Sequence, residues 1–208
     1  MVSRTHAPLQ AVELVGARVR LRTLTESDYA AWFEVRRRCR EWLVPWEPRP
    51  AGAPPAPEDA ASFGVRCGMR ERERQLGTGY GFGIFVDERF GGEITLSSIQ
   101  RGPFQAAFIG YWVDRQLAGQ GLVPEAVVLV LQFAFEVLLL HRVEIAIVPR
   151  NHASRRVVEK LGIRSEGVAV GYLEIDGVWE DHVRYAMTSE EWQARRGALL
   201  GQWLHRPA

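Results

Sequence analysis

The 208-residue chain carries 26 lysines and arginines against 25 aspartates and glutamates, so its formal net charge is +1. This balance argues against a nucleic-acid binder, and every apolar run is shorter than the roughly 20 residues of a membrane span. Hydrophobic residues make up 47% of the chain, which predicts a folded core and a single domain over residues 1–208. The N-terminus lacks the apolar segment of a secretory signal, so we expect a cytoplasmic protein.

The first predicted elements are a strand and two helices. Alternating apolar and basic residues at 19–24 predict a half-buried strand. Thr25 offers an N-cap, with an acidic residue three positions later, for a helix at 29–38. Residues 48–57 are rich in proline and alanine and predict a loop, and a second helix is expected at 58–74.

Strands predominate in the middle of the chain. Residues 80–86 and 90–99 predict two strands joined by a turn at 87–89, and residues 107–113 predict a third strand of this group. A loop with glycines follows, and then a long helix in which six apolar residues recur at i, i+3, i+4 and i+7. These residues are Val127, Val130, Leu131, Ala134, Phe135 and Leu138.

After this helix a strand and another helix are expected. Residues 143–148 form a short apolar run that predicts a strand. Residues 152–161 predict a helix with Ala153, Val157 and Leu161 on one face.

A hairpin and a last helix complete the predicted elements. Strands at 168–175 and 178–187 flank Asp176-Gly177, a dipeptide typical of a type I′ hairpin turn. A short helix is expected from Ser189, and residues 197–208 receive no assignment. Because strands and helices alternate in the second half, the sequence predicts an α/β fold with a mixed sheet.

The cysteines and histidines predict neither a disulfide nor a metal site. Cys39 and Cys67 form no C-x-x-C pair, and we expect buried or half-buried thiols in a reducing compartment. No pair at ligand spacing occurs among the five histidines, so we expect no metal cofactor. The histidines are His6, His141, His152, His182 and His205.

The most informative stretch is a loop between a strand and the long helix, with the pattern Gln116-x-x-Gly119-x-Gly121. Glycines let backbone N–H groups approach an anion closely, and a helix N-terminus adds positive partial charge. The glycines could also serve only the shape of a tight turn. Leu122 and Pro124 exclude the Walker A and the dinucleotide-binding patterns, respectively.

A second loop, around Asn151 and Ser154, lies between the next strand and the next helix. Asn151 is a favoured N-cap residue, so helix capping alone could explain it.

Together the two loops resemble those of the GNAT superfamily of N-acetyltransferases. The first resembles the family's acetyl-CoA pyrophosphate loop. The second, Asn151-x-x-Ser154-x-x-x-x-Glu159-Lys160-Leu161-Gly162, resembles the motif beside the pantetheine. The resemblance narrows to the RimJ/RimL type at four further places. These are Trp46-Glu47-Pro48, Leu140-His141-Arg142-Val143-Glu144, Tyr172 and Trp179-Glu180-Asp181-His182.

The resemblance covers residues 19–192 and leaves the tail at 193–208 outside. It departs from the family at Ile163, where an aromatic residue is usual. It implies a mixed, mostly antiparallel sheet, flanked by helices and splayed between its fourth and fifth strands. It also implies acetyl-CoA as the cosubstrate, held by a set of residues in the two loops and the preceding strand. This set is Trp112, Val113, Gln116, Ala118, Gly119, Gln120, Gly121, Leu122, Asn151 and Ser154.

The resemblance further implies direct transfer of the acetyl group to a primary amine. Ser154 would bond the departing sulfur, and it could at the same time be a helix-start serine bonded to Asn151. Glu93 is the first candidate for the base that takes the amine proton, and Glu47 is the second. Glu93 could instead lie on the solvent face of its strand. The backbone at Tyr111 and its two successors would pair with the cofactor, whereas the side chain of Trp112 could instead belong to the core.

The acceptor stays open between classes. The first hypothesis is the N-terminal α-amine of a protein such as a ribosomal protein, whose reference pKa of about 7.8 demands only a mild base. The second is a small amine, such as an antibiotic or polyamine, and acidic residues lining the cleft would favour a polycation. The third is a non-catalytic acyl-CoA-binding module. A homodimer is compatible with all three, whereas nucleic acid and membrane partners are not expected.

Overall fold

The computed structural model describes residues 12–54 and 56–205. Residues 1–11 lie outside the described residues. They include His6 and the segment for which no secretory signal was predicted. The described strands are β1 (Glu13–Val15), β2 (Val19–Arg22), β3 (Tyr80–Val86), β4 (Arg89–Gln100), β5 (Ala106–Val113), β6 (Arg142–Ile147), β7 (Arg164–Ile175) and β8 (Val178–Thr188). The described α-helices are α1 (Tyr29–Arg38), α2 (Arg40–Leu43), α3 (Ala60–Leu76), α4 (Leu122–Gln132), α5 (His152–Lys160) and α6 (Ser189–Trp203).

The strands form one sheet in the order β1-β2-β3-β4-β5-β6-β8-β7. All neighbouring pairs are antiparallel except β5 and β6. This parallel pair is short, because only Ala106 to Phe108 meet Arg142 to Glu144. Beyond this pair, β5 and β6 separate. The sequence analysis predicted no strand at β1, so β5 and β6 correspond to the fourth and fifth predicted strands. The predicted α/β fold with a splayed, mostly antiparallel sheet is therefore confirmed.

Helix α4 lies at the centre of the main core. It packs on the sheet and against α5 and α6, and all ten residues from Leu122 to Leu131 are buried. The predicted apolar stripe is thus only part of a helix that is enclosed on all sides. A π-helical turn, Phe133–Val137, continues α4, and this turn with its C-cap Leu138 brings the remaining predicted apolar positions into the core.

The opposite face of the sheet carries a second, smaller core beneath α1, α2 and α3. The observed α1 has the predicted bounds. Helix α3 begins two residues later than predicted, because the side chain of Asp59 accepts the N–H of Ser62 at 2.8 Å and caps it. Cys39 is buried and Cys67 is half-buried, and both are free thiols as expected.

The predicted face of α5 is confirmed in part. Leu161 is fully buried and the half-buried Val157 packs against the main core, while Ala153 is only half-buried. Val158, which was not predicted, is also fully buried, so the inward face is wider than the predicted row.

The chain ends in a hairpin and a helix that is longer than predicted. Asp176 and Gly177 have φ values of 47° and 83°, which fit the predicted type I′ turn. Helix α6 has a capping box formed by Thr188 and Glu191, and it extends to Trp203 through residues that had no assignment. In the described ranges, no helix combines the length and the hydropathy needed to cross a bilayer. The single-domain organisation stays a prediction.

Candidate active site

The glycine loop connects β5 to α4 and has a backbone that requires its glycines. Gly119 and Gly121 both have φ of 81°, in the left-handed region that residues with a side chain rarely adopt. Gly121 is also the N-cap residue of α4. The shape requirement therefore holds for both glycines, and the anion-binding interpretation of the same two residues stays a prediction.

The loop presents several unpaired backbone donors. The N–H groups of Gly119, Gln120, Gly121 and Leu122 have no hydrogen-bond partner among the described residues. They lie at the N-terminus of α4, where the helix dipole contributes positive partial charge. A group of such donors is suited to an anion such as a pyrophosphate.

A buried carboxylate behind the loop holds its first turn. Asp114 accepts the N–H of Gln116 at 3.0 Å and the thiol of Cys39 at 3.3 Å, and it forms an ion pair with Arg38. Burial disfavours the charged form, but the hydrogen bonds from Gln116 and Arg38 outweigh it and hold the pKa of Asp114 below its ordinary value. Sequence reasoning missed this support, because Asp114 forms no motif with residues about 75 positions away.

A second missed contact fixes the end of the loop. The guanidinium of Arg18 donates to the carbonyl of Gln120 at 2.9 Å and to the carboxylate of Glu125 at 3.0 Å. Glu125 is fully buried in α4 and also accepts the N–H groups of Arg18 and Val19 at 2.6 and 2.9 Å. The loop is therefore tied to the start of β2.

The free edge of β5 lies beside this loop. Asp114 donates its N–H to the carbonyl of Gly91 at 2.7 Å, and alternation along the strand then turns the backbone of Trp112 towards β4 as well. The backbone groups of Tyr111 and Val113 face the other way, where β6 has already separated. The carbonyl of Val113 accepts a hydrogen bond from the indole of Trp42 at 3.2 Å. Because the pairing of β5 with β6 ends at Phe108, the N–H of Val113 and both backbone groups of Tyr111 have no partner in the sheet.

The second loop places Asn151 and Ser154 at the start of α5. The side chain of Asn151 accepts the N–H of Ser154 at 3.0 Å, so Asn151 is the helix cap. Ser154 is therefore a helix-start serine bonded to Asn151, and its hydroxyl lies 3.0 Å from the hydroxyl of Tyr111.

A cavity of about 270 Å³ opens on the other side of β5. Glu93 and Trp112, which are paired across β4 and β5, both line it. Glu93 is only 7% exposed, so its placement on the solvent face is wrong. Its carboxylate accepts the indole N–H of Trp32 at 2.8 Å and two hydrogen bonds from Arg66 at 2.9 and 3.0 Å.

Glu47 lines the same cavity from the loop after α2. It forms an ion pair with Arg36, which also pairs with Glu58 at 2.7 Å. The charged lining thus consists of three glutamates and three arginines, and it carries no net charge. These residues are Arg36, Arg40, Glu47, Glu58, Arg66 and Glu93.

Across residues 12–54 and 56–205, no group of three or more His, Cys, Asp or Glu side chains is arranged to hold a metal ion. The arrangement instead offers an anion-binding loop, an open strand edge and a cavity, all meeting at β5. Such a set can hold a phosphorylated, amide-containing ligand on one side and a second reactant on the other.

Comparison with known proteins agrees with this geometry. Residues 18–164 match the acetyltransferase (GNAT) domain. The ribosomal protein uS5-alanine N-acetyltransferase of Escherichia coli is 33% identical over 159 residues, which are 76% of this chain and 80% of that relative. The probable N-acetyltransferase YjcK of Bacillus subtilis is 50% identical over 105 residues, but these span only 58% of YjcK and 50% of this chain.

Among solved structures, Mycobacterium smegmatis RimJ in complex with CoA-disulfide is 32% identical, with a TM-score of 0.84 and 94% of each chain covered. The chain therefore belongs to the GNAT acetyltransferase family and is similar to its RimJ members. The predicted activity class, acetyl-CoA-dependent N-acetyl transfer, is confirmed by this membership.

Proposed function

We propose that the protein acetylates the N-terminal α-amine of a protein, with ribosomal proteins as the first acceptors to test. The support is the E. coli relative, whose name gives an alanine of ribosomal protein uS5 as its acceptor. The observation that carries the proposal is the position of β5 between the glycine loop and the cavity. A cosubstrate at the open edge would meet an acceptor that enters from the cavity.

The residues proposed to hold acetyl-CoA are those of the two loops and the strand edge. The free N–H groups from Gly119 to Leu122 would bind the pyrophosphate, while Gln116 and Ala118 complete the loop. The unpaired backbone groups of Tyr111 and Val113 would pair with the pantetheine amides. Trp112 would not pair with the pantetheine amides, because its backbone faces β4 and its side chain lines the cavity. Asn151 would orient Ser154. The bound cosubstrate supplies an activated acetyl thioester.

Glu93 is proposed to order the water that takes the amine proton. An ionised carboxylate offers about four acceptor positions, and Trp32 and Arg66 use three of them. One position on Oε2 is left for a water molecule. Glu47 remains the alternative, because only one of its oxygens is bonded among the described residues.

The neutral lining of the cavity favours an α-amine over a polycation. Three arginines balance the three glutamates, so the cavity offers no surplus of negative charge to a polyamine. Deprotonating a lysine-like amine at neutral pH costs about 3.5 kcal/mol more than an α-amine, given reference pKa values near 10.4 and 7.8. A water molecule held by a carboxylate is a mild base, which suits the α-amine.

The proposal is tested by thiol release from acetyl-CoA with a matched panel of amines. The panel contains a peptide with an N-terminal alanine, the same peptide with its α-amine blocked, a polyamine and an aminoglycoside. We expect release with the free peptide alone and a mass gain of one acetyl group at its N-terminus. Release with the small amines alone would favour the second hypothesis, and CoA binding without turnover on any amine would favour a binding module.

The match to YjcK covers little more than half of that protein. The acceptor and the partners of this chain are therefore proposals, which the thiol-release assay tests. A cytoplasmic location, where ribosomal proteins are made, and a homodimeric state stay predictions.

A further inference from the structure

Tyr111 connects the strand edge to the first turn of α5. Its side chain lies on the opposite face of β5 from Trp112, because neighbouring residues of a strand point to opposite faces. Its hydroxyl is 3.0 Å from Ser154 Oγ and 3.2 Å from the carbonyl oxygen of Ser154. The Tyr111 hydroxyl therefore contacts two oxygen atoms of the same residue, Ser154.

The proton of the Tyr111 hydroxyl has two acceptors to choose from. If it goes to Ser154 Oγ, the serine proton is free to point into the cleft between β5 and β6. If it goes to the carbonyl, the serine can donate to the tyrosine oxygen instead. Burial raises the pKa of Tyr111, so the group remains a hydrogen-bond donor throughout the neutral and mildly alkaline range.

We propose that Tyr111 is a positioning residue that donates to Ser154 Oγ and thereby directs the serine proton to the departing sulfur. This inference rests on the proposed function, because it needs Ser154 to face the thioester. Ser154 is half-buried, and the contact of its hydroxyl with Tyr111 of β5 shows that its side chain is turned towards the sheet. Without the tyrosine hydroxyl, Ser154 Oγ–H loses the neighbour that selects its orientation.

The step balances without proton transfer from either hydroxyl. The carbon–nitrogen bond forms as the amine attacks the thioester carbonyl, and the carbon–sulfur bond breaks with its electron pair going to sulfur. The amine proton leaves through the ordered water. Ser154 only donates a hydrogen bond to the thiolate, and Tyr111 polarises that donor by bonding to its oxygen.

The test is a double-mutant cycle on the single-turnover rate of acetyl transfer. Tyr111→Phe removes only the hydroxyl, and we expect the rate to fall about 5- to 10-fold with unchanged affinity for acetyl-CoA. In a Ser154→Ala background the same change should have no effect beyond about twofold. In a Ser154→Thr background, which keeps a hydroxyl, the loss should return.

Tyr185→Phe is the matched control, because Tyr185 is also buried and its hydroxyl contacts α5 through Arg155 at 3.3 Å. It should keep the parental transfer rate. Equal losses from Tyr111→Phe with and without Ser154 would overturn the inference and assign Tyr111 a purely structural role. Parental activity of Tyr111→Phe would also overturn it, while leaving the proposed function intact. Failure of the parent protein to acetylate any amine would instead remove the proposed function.

Discussion

A carboxylate introduced at Gly119 should abolish most of the affinity for CoA without unfolding the protein. A Cβ atom built at Gly119 meets no atom within 4 Å, so a side chain there points into open space beside the free N–H groups. Gly121 is a poorer place for this test, because its Cβ would meet Arg18 and Trp203 at 3.4 Å. Gly119→Asp therefore changes the anion site with little change in packing.

The expected loss follows from simple electrostatics. Two unit charges 4 Å apart repel by about 1 kcal/mol in water and by about 4 kcal/mol near a protein surface. Because Gly119 is exposed, we take a repulsion of about 2 to 3 kcal/mol between the new carboxylate and the pyrophosphate. A loss of this size weakens CoA binding about 30- to 150-fold. The left-handed backbone adds a separate cost of about 1 kcal/mol to the free energy of unfolding, or a fall in Tm of about 2 to 4 °C.

Calorimetric titration with CoA and thermal melts separate these two effects. Gly119→Asn has the same size without the charge, so it should bind CoA more tightly than Gly119→Asp. Gly102 also has a positive φ and open space around its Cβ, but it precedes the other end of β5. Gly102→Asp should lower Tm similarly and leave CoA affinity unchanged. A Gly119→Asp protein that binds CoA within threefold of the parent would refute the assignment of the loop.

Three further predictions concern the carboxylates and the α5 cap. Glu93→Gln should lower the transfer rate by about 10²-fold with unchanged CoA affinity; a loss below threefold, together with strong impairment of Glu47→Gln, would move the base to Glu47. The folded-state pKa of Asp114 is lowered, so its contribution to stability is present above the unfolded value near pH 4 and is lost as pH falls through the folded pKa. The difference in unfolding free energy between the parent and Asp114→Asn should then be constant above about pH 5 and shrink in acid, and a difference that grows in acid would contradict this. Asn151→Ala should cost about 1 kcal/mol in urea melts, whereas Ser154→Ala should slow single-turnover transfer about 10- to 10²-fold with a smaller loss of stability.

The loops were predictable because their residues act through the backbone. Glycines at 119 and 121 are required by local conformation, and Asn151 caps the helix that it precedes, so both signals are local in sequence. The side-chain partners of the site were not predictable in this way. The bond between Tyr111 and Ser154 depends on the separation of β5 from β6 and on the rotation of α5 about its axis, and both are set by tertiary packing.

The burial of Glu93 shows the same limit. A carboxylate within an apolar strand indicated either a functional group or a solvent-facing residue, and the sequence could not choose between them. The choice depends on Trp32 and Arg66, which lie on two different helices and reach Glu93 only after both have packed on the sheet. Burial of a charge with such partners is a tertiary property, and hydrophobic periodicity does not report it.

One helix face coordinates both halves of the site. Trp32, Arg36 and Cys39 follow each other at i, i+4 and i+7, so they lie on one side of α1 and its C-cap. Trp32 bonds the carboxylate of Glu93 and Arg36 pairs with Glu47, while Cys39 donates to the carboxylate that holds the glycine loop. A displacement of α1 would therefore move the cavity and the glycine loop together. Under the proposed function, the same helix would then hold the acceptor side and the cosubstrate side of the site in place, as close positioning for direct transfer requires.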